Sequence, residues 1–329
     1  MMNRGISVRK CATLSLIERA LDAHGYAIKH ASEIVLTQRG GYYMRLVEQA
    51  TGKLMFAKVL HPSERILSRR EIRAHARLPR LDAAMYSLDV VRIPNNEGEW
   101  IALVTTLLGE YDMFTWMTSE EYGARRELGS ALVRSDVLQI AHDISTQLAR
   151  FHGVGMIHGD VKVENVVVSS DSDATLDALF VLVDFDCGQQ FCDVRADVGG
   201  TKCYADVFTL KETDIACACS SDTWQLGIIM AMVLLNEPLP DYRRDVSDSE
   251  GGQALKRISP EYVASCVIQC AYHDESTGFL PALEAACKDA GLPALFTLLH
   301  GMLSPLPRNR PSAEAVRAFL RSRLKMCTF

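Results

Sequence analysis

The stretch IHGDVKVENVVV, residues 157–168, decides how this chain is read. Within it Lys162 stands two positions after Asp160 and Asn165 five positions after it, between an amphipathic run, VLQIAHDISTQLARFHGVG, and an apolar segment of strand character. Transfer of a phosphoryl group asks little covalent chemistry of a protein. It needs charge around a triphosphate, metal ions and an oriented hydroxyl. At this spacing Asp160 would accept a hydroxyl proton, Lys162 would steady a γ-phosphate and Asn165 would hold a metal ion.

Both flanks supply what such a loop lacks. Nineteen residues past Asn165, VLVDFD ends an apolar strand at Asp184, placed to be the main magnesium ligand. Upstream, Lys58 projects from the strand MFAKV, and Glu71 on the next helix is placed to pair with it, aiming the lysine at the α- and β-phosphates. A lone His-Gly-Asp or a lone strand lysine is usually structural, but these residues in this order are not explained that way.

In that order the chain resembles the eukaryotic protein-kinase family from about Glu33 to its C-terminus. MFAK resembles the lysine-strand motif, HGDVKVEN resembles HRDLKxxN, and VDFD resembles DFG. GGTKCYADVF at 199–208 is similar to the end of an activation segment, SSDTWQLGIIMAMVL at 220–234 to the buried kinase helix, and RNRPSAEAV at 308–316 to the arginine-bearing motif near the C-terminus. The resemblance implies an α+β, bilobal protein-kinase fold: a small antiparallel β-sheet N-lobe with one key helix, and a larger helical C-lobe. Residues 1–32 are then a helical extension, 33–106 the N-lobe and 107–329 the C-lobe. It also implies ATP and Mg2+ as cofactors and a protein substrate bearing Ser or Thr, because Lys162 follows the serine/threonine pattern. Thr105 falls at the gatekeeper position, Thr106 and Leu107 would bind adenine through their backbone, and Asp112 would lie near the ribose. An ordinary strand-to-helix connection is the alternative for each. Asp222 would brace the catalytic loop, and a monomer is expected.

The family pattern is broken in four places. Counting back from Lys58 without gaps, the first two glycines of the phosphate-covering loop become Leu36 and Gln38, and only Gly41 remains to contact nucleotide. Gly40-Gly41 also reads as a tight hairpin. Gly159 stands where HRD carries arginine, so no side chain there can read a phosphorylated activation segment. Asp186 replaces the DFG glycine, and Asp206-Val207-Phe208 replaces A-P-E, so Arg310 loses its usual glutamate, with Glu212 a weak substitute. These departures, with W-Q-L-G and HGDVK, resemble the apicomplexan rhoptry kinases, and the reduced loop resembles their with-no-Gly-loop branch. That branch implies secretion into a parasitophorous vacuole and disulfides among the later cysteines; without it, a cytoplasmic location is expected. Its members include active kinases and pseudokinases.

Composition agrees with a folded chain. The 329 residues are 48% apolar and 23% charged, with a formal net charge of -6, which argues against nucleic acid as the main partner. The longest apolar run, 226–235, is too short to span a bilayer, and the N-terminus has no apolar run of signal-peptide type. Nine of the ten cysteines lie in the later half without zinc-site spacing; they read as disulfides or as buried thiols. Periodicity predicts helices over 14–24, 68–78, 137–155, 222–235, 260–271 and 311–325, and strands over 33–38, 42–49, 53–60 and 99–107 with a turn at Thr51-Gly52. Surface insertions are expected at 169–177 and 241–253. Two other readings remain: a pseudokinase scaffold that binds partners through the fold, and a small-molecule kinase, against which SDTWQLG and RNRPSA argue.

Overall fold

Leu14, Ile17 and Leu21 recur at helical spacing, and they form the inner face of helix α1 (Arg4–Ala23). Ile17 and Leu21 have 0% exposure and belong to the same core cluster as the sheet residues Tyr42, Leu46, Val91 and Trp100. Gly25, at φ +84°, ends the helix and turns the chain into strand β1 (Tyr26–Ile28). The structure is a computed structural model. It describes residues 4–37, 39–77, 88–96, 98–109, 111–127, 130–169, 180–190, 204, 215–235 and 279–324, in two compact units, Met1–Leu108 and Gly109–Phe329.

The first unit is an antiparallel sheet with helices. Strand β2 (Val35–Leu36) pairs with β3 (Tyr42–Glu48), which forms a hairpin with β4 (Leu54–Leu60) through Gly52 at φ +73°. Helix α2 (Arg65–His75) follows, then the hairpin of β5 (Leu88–Asn95) and β6 (Gly98–Thr106). The strand order is β1-β3-β4-β6-β5, with β2 beside β3. The strand expected over 33–38 shrinks to two residues, because Ala31–Glu33 takes a 3-10 turn and Val35 and Leu36 are 57% and 46% exposed. The helix expected over 68–78 begins earlier, at Arg65, and ends at His75.

The second unit opens with β7 (Tyr111–Asp112), α3 (Met113–Met117), α4 (Glu120–Glu127) and the long helix α5 (Ser130–Gly153). Short strands β8 (Met156–Ile157), β9 (Val166–Val168), β10 (Phe180–Leu182) and β11 (Gln189–Gln190) follow, making a three-stranded sheet β10-β9-β7 and a pair β11-β8. Helices α6 (Ile215–Leu234), α7 (Phe279–Asp289), α8 (Pro293–Met302) and α9 (Ala313–Leu324) complete it. Helix α6 is predominantly apolar and buried throughout from Ser220, as a core helix should be. A Cβ at Gly227 would lie 3.0 Å from Leu303, so the glycine lets that residue approach closely. The helix expected over 260–271 and both expected insertions, beyond Ser169, lie outside the described residues. No helix among the described residues is long and apolar enough to cross a membrane.

Because Leu21 is fully buried between α1 and the sheet, Leu21→Ala should destabilise the first unit by about 2–5 kcal/mol. Denaturant unfolding followed by a probe within that unit reads the loss.

Candidate active site

In the first unit, strand β4 carries Lys58 and helix α2 carries Glu71. Lys58 Nζ lies 3.0 Å from Glu71 Oε2, with the two side chains 10% and 7% exposed. Removing two charges from water is costly, and the contact offsets that cost while fixing the ammonium group on the strand. The pairing expected from sequence is thus formed.

The residues expected at adenine stand at the end of the same sheet. Thr106 is buried at the end of β6 opposite Met55, and Leu107 donates its backbone N–H to Leu54 O at 3.2 Å. That N–H is committed to the sheet. Gly41 is a glycine for a packing reason: a Cβ there would lie 2.4 Å from Val59 O. Its N–H donates to Thr37 Oγ1 at 2.9 Å, and Gly40 N–H to Thr37 O at 3.1 Å. Gly40, at φ +86°, supplies a left-handed residue between β2 and β3. Gln38 lies outside the described residues.

In the second unit the loop 158–165 converges on Asp160. Lys162 Nζ lies 2.7 Å from Asp160 Oδ2, and Asn165 Nδ2 donates to the same oxygen at 3.1 Å and to Asp160 O at 2.9 Å. Burial lowers the Lys162 pKa, but the hydrogen bond and charge of Asp160, with Asp184 and Glu164 behind it, outweigh burial and raise it. Lys162 is therefore a fixed positive charge at neutral pH, and Asp184 is close enough for its carboxylate to act on it.

The loop is held from below by helix α6. Asp222, with 0% exposure, accepts the N–H of His158 at 2.9 Å, that of Gly159 at 2.8 Å and His152 Nε2–H at 2.9 Å. Gln225 adds its Oε1 to Val161 N–H at 2.8 Å. Gly159 sits at φ +79°, where a Cβ would stand 3.0 Å from Cys187 O, so the residue in the arginine position is set by backbone geometry. His158 donates from Nε2 to Val183 O at 3.2 Å and accepts Asp160 N–H on Nδ1 at 3.3 Å, which fixes it as the neutral Nε2–H tautomer.

Asp184 follows directly at φ +67°, among the described residues the one non-glycine with positive φ. That conformation costs about 1–2 kcal/mol and points to a residue aimed for a task. Next to it Phe185 is buried, its ring 5.3 Å from Phe151 and 5.2 Å from His158. Asp186 lacks the left-handed φ that would demand glycine; the turn closes instead by Gly188 N–H to Phe185 O at 2.9 Å.

Asp112 caps helix α3 by accepting Thr115 N–H at 2.6 Å on Oδ1, so one carboxylate oxygen remains for a ribose. Arg310 donates Nε–H to Ser304 O at 2.8 Å and stacks 4.7 Å over the Trp224 ring. Residues 206–208 and Glu212 lie outside the described residues. Cys187, Cys219 and Cys287 are free thiols, so the disulfide expectation finds no support among the described residues. Burial raises Cys219 and Cys287 to about 12, with Asp222 and Glu284 adding to it respectively.

Sequence reasoning missed His152, Gln225 and Gln147. Gln147 donates to Phe180 O at 2.7 Å and accepts Leu182 N–H at 2.9 Å, pinning β10 to α5 ahead of Asp184. Their one available signal was a polar residue on the inward face of an apolar helix.

An antiparallel-sheet unit with a buried lysine–glutamate pair and a helical unit with an Asp-Lys-Asn loop define a kinase class of fold. The protein kinase domain family matches residues 40–319, and the chain belongs to it, with that family's α+β bilobal fold. A protein of Schizosaccharomyces pombe (strain 972), described as a negative regulator of sexual conjugation and meiosis, is 26% identical over 187 residues. The match covers 52% of this chain and 37% of that protein, so the chain spans well under half of the relative's length.

Two outcomes are expected. Asp222→Ala leaves two buried backbone N–H groups without their acceptor, at about 1–3 kcal/mol for each, measurable by denaturant unfolding. The raised thiol pKa values of Cys219 and Cys287 mean that the folded state keeps protons that the unfolded state releases. Their contribution to stability is complete below the usual thiol value of 9.0 and is lost as pH rises toward about 12. A Cys219→Ser, Cys287→Ser variant should show a shallower alkaline loss of melting temperature.

Proposed function

We propose that the chain is a magnesium-ATP-dependent serine/threonine protein kinase with a reduced phosphate-covering loop. The observation that carries this reading is the strained backbone of Asp184 beside the Asp160–Lys162–Asn165 cluster. Asn165 and Asp184 offer the hard oxygen donors that magnesium takes: Asn165 commits Nδ2 to Asp160, which leaves its amide oxygen for a cation. Magnesium bound with the nucleotide would neutralise charge on the phosphate oxygens.

In this reading Asp160 orients the substrate hydroxyl and takes its proton as the oxygen–phosphorus bond forms. Lys162 balances charge at that carboxylate and Lys58, fixed by Glu71, meets the phosphates. Lys162 at the second position after Asp160 supports Ser or Thr as acceptor. The residue pattern at Gly159 and Asp186, with the reduced loop, supports membership of the with-no-Gly-loop rhoptry branch and hence secretion into a vacuole.

One observation favours a second reading, a pseudokinase scaffold. The Gly40 and Gly41 amides at the turn in the phosphate-covering position are engaged by Thr37 and do not present themselves to a phosphate. Phosphotransfer from γ-labelled ATP to a Ser/Thr protein substrate, with Asp184→Ala beside it, separates the two. The kinase reading expects transfer by the wild type, its loss in Asp184→Ala with the fold intact, and a fall of several orders of magnitude in Lys58→Met. Absence of magnesium-dependent transfer and of nucleotide binding in the wild type would leave the scaffold reading.

A further inference from the structure

We propose that Arg39 supplies through its side chain the phosphate contact that the β2–β3 turn no longer supplies through its backbone, with Glu64 holding the guanidinium until a polyphosphate displaces it. The inference rests on the nucleotide-binding reading above and deepens it.

The turn uses its own amides. Thr37 N–H donates to Gly41 O at 2.9 Å, Gly40 N–H to Thr37 O at 3.1 Å and Gly41 N–H to Thr37 Oγ1 at 2.9 Å. Its glycine is accounted for by the approach of Gly41 to Val59 O. A backbone cradle for phosphate is therefore closed at both residues. Yet the turn lies against the end of β4, with Gly41 close to Val59 O, and the strand it opens pairs Tyr42 with Val59 and Tyr43 with Lys58. The turn that carries Arg39 thus leads directly into the strand register that holds Lys58, the cation that the reading assigns to the phosphates.

The Arg39 side chain is 62% exposed, with Nη1 3.8 Å from Glu64 Oε1. The separation exceeds a hydrogen bond, and an exposed pair of this kind holds weakly. Glu64 is only 9% exposed and is anchored independently, its Oε2 accepting His61 N–H at 3.1 Å. The carboxylate is the anchored member and the guanidinium the exposed one, carried on a long stem. A guanidinium so held presents most of its five N–H donors to any stronger acceptor, and a phosphate binds two of them at once.

The proposal predicts opposite signs at two neighbouring residues, which a simple staple between turn and helix does not. The full chain is titrated calorimetrically with magnesium-ATP, magnesium-tripolyphosphate and adenosine. R39Q should weaken ATP and tripolyphosphate about tenfold, the effect of one charge-assisted contact, and leave adenosine unchanged. R39K should recover part of the loss. E64Q, by releasing the guanidinium, should tighten both polyphosphates roughly two- to threefold. Unchanged ATP affinity in R39Q overturns the inference, and so does equal weakening in R39Q and E64Q, which assigns the pair to structure alone. Wild-type chain that binds ATP no better than adenosine overturns the nucleotide reading itself, whatever the variants do. Ligand-free melting of R39Q checks the fold, which an exposed side chain should leave intact.

Discussion

A carboxylate removed entirely from water governs the rest of the site. Burying Asp222 costs several kcal/mol unless its oxygens are fully engaged, and the engagement comes from the loop that needs placing. Two consecutive amides, His158 and Gly159, bond to it, and His152 closes the remaining approach. Gln225, one helical turn on, reaches Val161 N–H and Gly159 O. Beyond Ile157 the loop has no strand ladder until Val166; one face of α6 provides the partners that a sheet would otherwise give. Asp160 inherits its position from residues on either side of it, each tied to the most buried helix of the unit.

From that anchor the order spreads through His158. Its two ring nitrogens join Asp160 N–H to Val183 O, so a single neutral imidazole links the chain just before each carboxylate of the site. Phe185 packs on that ring and on Phe151, and Val183 N–H bonds to Asn165 O at 2.9 Å. Asp184 is thereby fixed on both sides, which is the condition under which a left-handed aspartate persists. Strain at Asp184 and burial at Asp222 are two ends of one connected structure.

Much of this was legible in the sequence, for a physical reason. The Asp160, Lys162 and Asn165 spacing is local, and the loop geometry brings three close positions together with little help from afar. The Lys58–Glu71 pair was legible because strand and helix periodicity set both faces. Strands β1 and β5 were not: one is three residues long, and the other, LDVVRIPN, carries a proline and an exposed face. Helices α7 and α8 were also missed, since FLPALEAACKD and PALFTLLHGM are short and begin at or near proline. Nothing in the sequence says that Leu107 N–H is spent on Leu54 O or that Asp112 caps a helix, because both depend on which backbone groups the fold leaves unpaired.

Glycine identity separates packing from chemistry here. Gly41 meets Val59 O, Gly159 meets Cys187 O, and Gly188 meets Phe185 O; each serves a close backbone approach. The same test applies to the charged residues. Asp222 is required by the fold whether or not phosphate is transferred, since α6 and the loop depend on it, and Asn165 also bonds within the loop. Their presence is compatible with a scaffold. Asp184 is different, because a glycine would relieve its backbone strain and an asparagine would tolerate it more readily. A carboxylate at that position brings negative charge near Asp160, which a purely structural turn does not need. Lys58 and Glu71 belong with it: an apolar pair of similar volume would fill the same space without the desolvation cost. The case for chemistry therefore rests on Asp184, Lys58 and Glu71, where the fold gains least from the charges it holds.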